Sequence, residues 1–224
     1  MSPAIEARGL TRILPGPVPV TLVEAIDLTV QAGEFIAITG PSGSGKSSLL
    51  YLLGLLDKPS SGTVRLQGDD TGGLDGDALA DLRLARIGFV FQFHFLLPEF
   101  SAAENVAIPM RRLGALPEKA IRARADELLE GLGLAEHRAK LPEQMSGGQR
   151  QRAAIARALA NDPALILADE PTGNLDTASA HLVFDTFRAL ARDQNRTIIV
   201  VTHDAELAAT ADRRVHLVDG RIVP

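Results

Sequence analysis

Gly40-Pro41-Ser42-Gly43-Ser44-Gly45-Lys46-Ser47 matches the pattern G-x-x-x-x-G-K-[ST] at every fixed position. Glycines at these places let successive backbone N–H groups turn inward and approach an anion with no Cβ in the way. Lys46 adds a point charge suited to the β- and γ-phosphates of a nucleotide, and the Ser47 hydroxyl can ligate Mg²⁺. Ser48 follows as a further nucleotide contact. Hydrolysis also needs a metal-side carboxylate, a positioned water and charge stabilisation at the γ-phosphate. Asp169 and Glu170 stand together after the apolar run Ala164-Leu165-Ile166-Leu167-Ala168. Asp169 suits the metal and Glu170 the general base. His203 also ends an apolar run, where it would face the γ-phosphate, and Gln92 could ligate Mg²⁺ or water. On position alone, each reads equally as structural or as functional.

These groups need a parallel sheet whose strand ends lie side by side. Glu34–Thr39 reads as a buried strand before the phosphate loop, and Ser48–Leu53 as a helix after it, which puts the anion at a helix N-terminus. Ala164–Ala168 and Thr197–Thr202 are continuous apolar runs, as expected of strands buried on both faces. Ile5–Val30 is β-rich, broken by Pro15, Pro17 and Pro19. Asp77 is expected to cap a helix near Ala78–Ala85. Ser101 and Glu104 form a capping-box pattern, and Pro109 is expected to end or kink the helix that follows. Another helix runs from about Pro117 to Gly133. Ser146-Gly147-Gly148-Gln149 opens a helix to about Ala160, and further helices are expected near Ala178–Asp193 and over Glu206–Ala211. Arg214–Val218 and Arg221–Val223 form a hairpin through Asp219-Gly220.

The chain has 224 residues, 46% of them hydrophobic and 23% charged, which suits one sizeable core. No apolar run approaches the length of a membrane span, and Met1-Ser2-Pro3-Ala4-Ile5-Glu6 lacks the pattern of a signal peptide. Cysteine is absent, which excludes disulfides and thiolate-bound zinc. A net charge of −5 argues against a general nucleic-acid binder. Five of the eight phenylalanines fall between Phe89 and Phe100, a clustering that needs a reason. Phe93, Phe95, Leu96, Leu97 and Phe100 lie in an apparent loop, where they either fold back as a small core or form an apolar docking surface.

Taken together, Gly40–Ser47, Gln92, Met145-Ser146-Gly147-Gly148-Gln149, Leu165–Glu170, Asn174-Leu175-Asp176 and His203 resemble the nucleotide-binding domain of ABC transporters. The motifs occur in the family's order and cover nearly the whole chain. The resemblance implies an α/β phosphate-loop (RecA-like) ATPase core over residues 1–92 and 146–224, an N-terminal antiparallel β region, and an inserted helical subdomain over 93–145. It implies ATP and Mg²⁺ as ligands, with Ser47, Gln92 and Asp169 on the metal and Glu170, His203 and Gln92 catalytic. It implies a head-to-tail homodimer in which Ser146, Gly147, Gly148 and Gln149 of one subunit close on the ATP of the other, with Asp176 at the seam. Two departures stand out. Met145 replaces the usual Leu, a change of similar volume. Ile13 occupies the place where the family stacks an aromatic on adenine, so modest nucleotide selectivity is expected.

Within the family, Gln92–Phe100, Glu104-Asn105-Val106 and Asp169–Asp176 resemble the branch that powers bacterial lipoprotein release. ATPases of macrolide-efflux and cell-division complexes share part of this wording. That branch implies two membrane permease subunits docking near Phe93–Phe100, and a peripheral position on the cytoplasmic face of the inner membrane. Membrane contact would come only through those partners.

Overall fold

The computed structural model describes residues 3–223; Met1 and Ser2, part of the N-terminal stretch considered above, lie outside the described residues. The chain runs β1 (Ile5–Leu14), β2 (Val20–Val30), β3 (Phe35–Thr39), α1 (Lys46–Leu53), β4 (Ser61–Leu66), β5 (Asp69–Asp70), α2 (Gly76–Arg86) and β6 (Ile87–Phe91). It continues through α3 (Ala102–Leu113), α4 (Glu118–Gly131), α5 (Gly147–Ala158), β7 (Leu165–Asp169), α6 (Thr177–Gln194), β8 (Thr197–Val201), α7 (Ala205–Ala208), β9 (Arg213–Val218) and β10 (Arg221–Val223). Short 3₁₀ turns at Ala135–His137 and Pro142–Gln144 link α4 to α5.

β2-β1-β4-β5 form an antiparallel sheet, and β10-β9-β3-β8-β7-β6 form a second sheet. The second is parallel from β9 to β6, with β10 antiparallel on its edge. Its buried strands alternate between two cores, as a pleat of period two requires. Ile36, Ile38, Leu165, Leu167, Ile199 and Val201 face the core shared with α1 and the antiparallel sheet. Phe35, Ala37, Ile166, Ala168, Ile198 and Val200 face the core shared with α5 and α6. A third cluster joins Leu96, Val106, Met110, Ile121, Leu129 and Met145 to the alanines of α5, so α5 packs on the sheet with Ile155 and on the inserted helices with Ala153 and Ala156.

Register sets the site. Phe91 pairs with Asp169, Asp169 with Val201, and Val201 with Ile38. The C-terminal ends of β6, β7, β8 and β3 are therefore level. Gln92, Glu170, Thr202-His203 and Thr39-Gly40 emerge along one edge, the usual place for ligands in such a sheet.

Three expectations change. Asp75, not Asp77, caps α2, accepting from the Ala78 amide at 2.9 Å; Asp77 lies in the first turn. α3 is not ended by Pro109 but runs on to Leu113. A proline inside a helix costs about 3 kcal/mol. Burial of Val106, Ala107 and Met110 on both sides, with a capping box at one end and Gly114 at φ +70° at the other, outweighs it. α7 is confined to Ala205–Ala208. The terminal hairpin is as expected: Asp219 and Gly220 both have positive φ, as a two-residue I′ turn requires.

Candidate active site

Gly40, Gly43 and Gly45 all have φ in the left-handed region, at +145°, +79° and +95°. A Cβ on Gly40 would strike the Leu217 carbonyl, and one on Gly45 the Leu22 carbonyl, whereas one on Gly43 would meet nothing within 4 Å. Gly40 and Gly45 let the loop pack on its neighbours, and Gly43 faces open space. α1 has no side-chain cap, so its first-turn N–H groups remain for an anion. Lys46 Nζ donates to the Gly40 and Pro41 carbonyls at 2.9 and 2.8 Å, which holds its charge over the loop. Ser44 Oγ is buried without a hydrogen-bond partner among the described residues. Pro41 and Ser42 are exposed, and Ser48 is half-buried in the first turn of α1. This cradle fits a nucleotide's phosphates.

Ser47 Oγ donates to Asp169 Oδ1 at 2.8 Å. Tyr51, one turn further along α1, donates its hydroxyl to Asp169 Oδ2, also at 2.8 Å. Burial, with the hydrogen bond to Asp169 and its charge, pushes the Tyr51 phenol up to about 12, so it remains a donor. Oxygen-only donors beside a phosphate cradle fit Mg²⁺, which is bound by one or two carboxylates plus substrate phosphates. No cluster of three or more His, Asp or Glu side chains among the described residues could cage a metal alone.

Glu170 sits at φ +47°, a strained conformation for a residue with a Cβ. Its N–H donates to the Val201 carbonyl at 2.9 Å, and its carbonyl accepts from Gly173 at 3.1 Å, so β8 and the following turn hold it there. Its carboxylate oxygen Oε2 lies 2.7 Å from His203 Nδ1. A carboxylate only accepts, so Nδ1 carries the proton, and no hydrogen bond among the described residues takes Nε2.

Gln92 is brought to the same edge, directly after β6. Its amide Nε2 reaches Asn174 Oδ1 at 3.4 Å, and a Cβ on Gly173 would come within 2.8 Å of it. No hydrogen bond among the described residues joins Gln92 to Ser47 or Asp169. Ser146 caps α5: Gln149 N donates to Ser146 Oγ at 3.2 Å and Ser146 N to Gln149 Oε1 at 2.9 Å. Ser146 is exposed, and Gly148 is buried where a Cβ would lie 2.6 Å from Ser179 Oγ. Gly147, with Leu175 Cδ2 at 3.7 Å as its near neighbour, is the more open of the two. No hydrogen bond among the described residues joins Ser146–Gln149 to the phosphate loop. Asp176 caps α6, and its bonds from the Ser179 amide and hydroxyl hold its carboxyl below the usual range. Ile13 is exposed on β1 and pairs with Thr21, the neighbour of Leu22, whose carbonyl faces Gly45.

The phenylalanine cluster faces outward. Phe93 and Phe95 are 63% and 61% exposed, and Leu97 and Phe100 are exposed too; only Leu96, at 6%, enters the helical core. Two side chains, half-buried Arg157 and buried Asn105, hold this loop in shape. Arg157 donates to the Phe95 and His94 carbonyls at 2.6 and 2.7 Å, and burial pulls its guanidinium below the usual value. Asn105 accepts from Leu97 N at 2.7 Å and donates to the carbonyls of Leu97, Phe100 and Ser101. Neither Arg157 nor Tyr51 carries a local signal in the sequence, since each acts on a segment it meets only after folding.

The family profile described as "ABC transporter" matches residues 23–173. This chain belongs to the ABC transporter family. It is 54% identical over 202 residues to the lipoprotein-releasing system ATP-binding protein LolD 1 of Chlorobium chlorochromatii, covering 90% of this chain and 82% of that protein. It is 52% identical over 223 residues to LolD of Anaeromyxobacter dehalogenans, covering 99% and 93%. A dimeric post-hydrolysis structure of the ATP-binding cassette MJ0796 bound to ADP and Pi is 39% identical and matches with a TM-score of 0.91 over 98% of this chain and 97% of that one. The fold is thus the α/β core, antiparallel β region and helical insert of an ABC ATPase.

Proposed function

We propose that this chain is the ATP-hydrolysing subunit of an ABC transporter that releases lipoproteins from the bacterial inner membrane. One observation carries the enzymatic part: the phosphate loop, Ser47–Asp169 and Glu170–His203 converge on level strand ends. The transport part rests on the LolD relatives, similar over nearly the full length of this chain.

Gly40–Ser48 and Lys46 hold the phosphates of ATP, and Ile13 lies against the base. Ser47 and Asp169 hold Mg²⁺. Bound there, the cation offsets charge on the β- and γ-oxygens. Glu170 takes a proton from the attacking water, and its bond to His203 Nδ1 orients the carboxylate for that task. His203 Nε2 faces the γ-phosphate. Gln92, tied to Asn174, reports the state of that edge to the neighbouring loop. The reaction yields ADP and phosphate.

Ser146 and Gly147 lie at the N-terminus of α5 with Ser146 exposed, and no acidic side chain among the described residues is bonded to either. In a head-to-tail dimer they close on the partner's ATP, as the dimeric MJ0796 cassettes support. Loss of the γ-phosphate then lets the halves part. The permeases dock on the Phe93–Phe100 loop, the exposed aromatic surface nearest Gln92. No helix among the described residues is long and apolar enough to cross a membrane. The chain reaches the cytoplasmic face of the membrane through those permeases.

Glu170→Gln tests the proposal. The variant keeps an acceptor for His203 but loses the base. It should bind ATP and hydrolyse it slower by about 10²–10⁴. Purified from native membranes in ATP, it should bring with it permeases that, once reconstituted with the parent chain in place of the variant, release lipoproteins. Hydrolysis at the parent's rate would overturn the assignment of the base. A permease that moves another substrate would overturn lipoprotein release and leave the ATPase standing.

A further inference from the structure

We propose that Tyr51 is a positioning residue that locks the Asp169 carboxylate and so sets the affinity of the site for its divalent cation. The proposal rests on the reading of Asp169 as a metal-side carboxylate. Ser47 and Tyr51 are four residues apart on α1 and share one face of it. Each hydroxyl takes a different oxygen of Asp169, both at 2.8 Å. With Ser47 alone, the carboxylate could swing about its last torsion, which is broad and roughly two-fold. A second donor on the other oxygen removes that freedom. Both protons then point at Asp169, which leaves the Ser47 lone pairs for a cation.

Tyr51 is itself held. Its ring meets Phe91 edge-on, with centroids 6.4 Å apart and planes at 66°. Phe91 is the residue paired with Asp169 across β6 and β7, and it stacks on Phe89 at 5.9 Å and 3°. The strand pair that presents the carboxylate therefore also clamps the phenol that restrains it. No other donor among the described residues reaches Asp169 Oδ2.

Tyr51→Phe keeps the ring contact and deletes only the hydroxyl. The probe is Mn²⁺, titrated with ADP present and followed by electron paramagnetic resonance, with Asp169→Asn measured alongside. Loss of a group that orients a metal ligand lowers metal affinity about 10- to 100-fold. Tyr51→Phe should weaken Mn²⁺ binding by about tenfold and leave ADP binding without metal unchanged. The Mg²⁺ needed for half-maximal ATPase should rise by a similar factor, with kcat recovered at saturating Mg²⁺. If Asp169→Asn weakens Mn²⁺ but Tyr51→Phe stays within about twofold of the parent, Tyr51 is only a satisfied, half-buried phenol and the proposal fails. If Asp169→Asn has no effect, the metal-side reading of Asp169 fails and the proposal with it.

Discussion

Replacing Asn105 with Ala should loosen the docking loop while sparing the nucleotide site. Asn105 is wholly buried, and its amide replaces the secondary structure that residues 97–101 lack. Its oxygen accepts from Leu97 N at 2.7 Å. Its two amide protons are shared among the carbonyls of Leu97, Phe100 and Ser101, at 3.1, 2.9 and 3.1 Å. That amounts to about three net bonds, each worth about 1 kcal/mol. Leu97 and Phe100 are exposed, so water recovers part of the loss, leaving about 2 kcal/mol. For a chain of this size 1 kcal/mol lowers Tm by about 2–4 °C, so the variant should melt about 4–8 °C lower. Amide hydrogen exchange gives the local reading: the Leu97 N–H should lose protection, while α1 and β7 keep theirs. ATP affinity should hold, and capture of the permease should weaken because the aromatic surface is no longer preformed. A Tm within about 1 °C of the parent, with Leu97 still protected, would refute the idea that Asn105 organises the loop.

Lys46→Ala should lower nucleotide affinity at least about tenfold, since it removes a charged phosphate donor; equal binding of a fluorescent ATP analogue would discredit the cradle. Phe95→Ala with Leu97→Ala truncates exposed side chains but keeps the backbone groups that Arg157 and Asn105 hold. The double variant should fold and bind ATP like the parent yet lose at least about tenfold in permease capture. Unfolding instead would mean that these groups serve the core. An aliphatic Ile13 against the base lacks the stacking contribution of roughly 1 kcal/mol, so ATP and GTP should bind within about tenfold of each other. A hundredfold preference for ATP in competition binding would refute that.

What the sequence makes legible here is local. The phosphate loop, the apolar run of β7 ending in Asp169-Glu170, the Ser146–Gln149 cap and the Asp219-Gly220 turn each need only a few consecutive residues of the right type. What it hides is pairing at a distance. Tyr51 and Asp169 are separated by 118 positions, Arg157 and Phe95 by 62, and packing alone brings them together. Pro109 misleads for the same reason: its local cost is real, but burial of the helix around it decides.

The two glycines after Ser146 sharpen the point. In the sequence Gly147 and Gly148 look alike, and both read as room for a phosphate. In the fold Gly148 is needed within the subunit, because a Cβ there would press on Ser179 Oγ at 2.6 Å. That leaves Gly147 as the glycine whose missing side chain has no strong intramolecular cause. In the proposed head-to-tail dimer, a partner's γ-phosphate approaching the exposed end of α5 would supply one. Ser179 in turn bonds to Asp176, so the start of α6 and the start of α5 are set against each other. The segment Asn174–Asp176, which also touches Gln92, is thereby fixed relative to the Ser146 helix before any partner arrives.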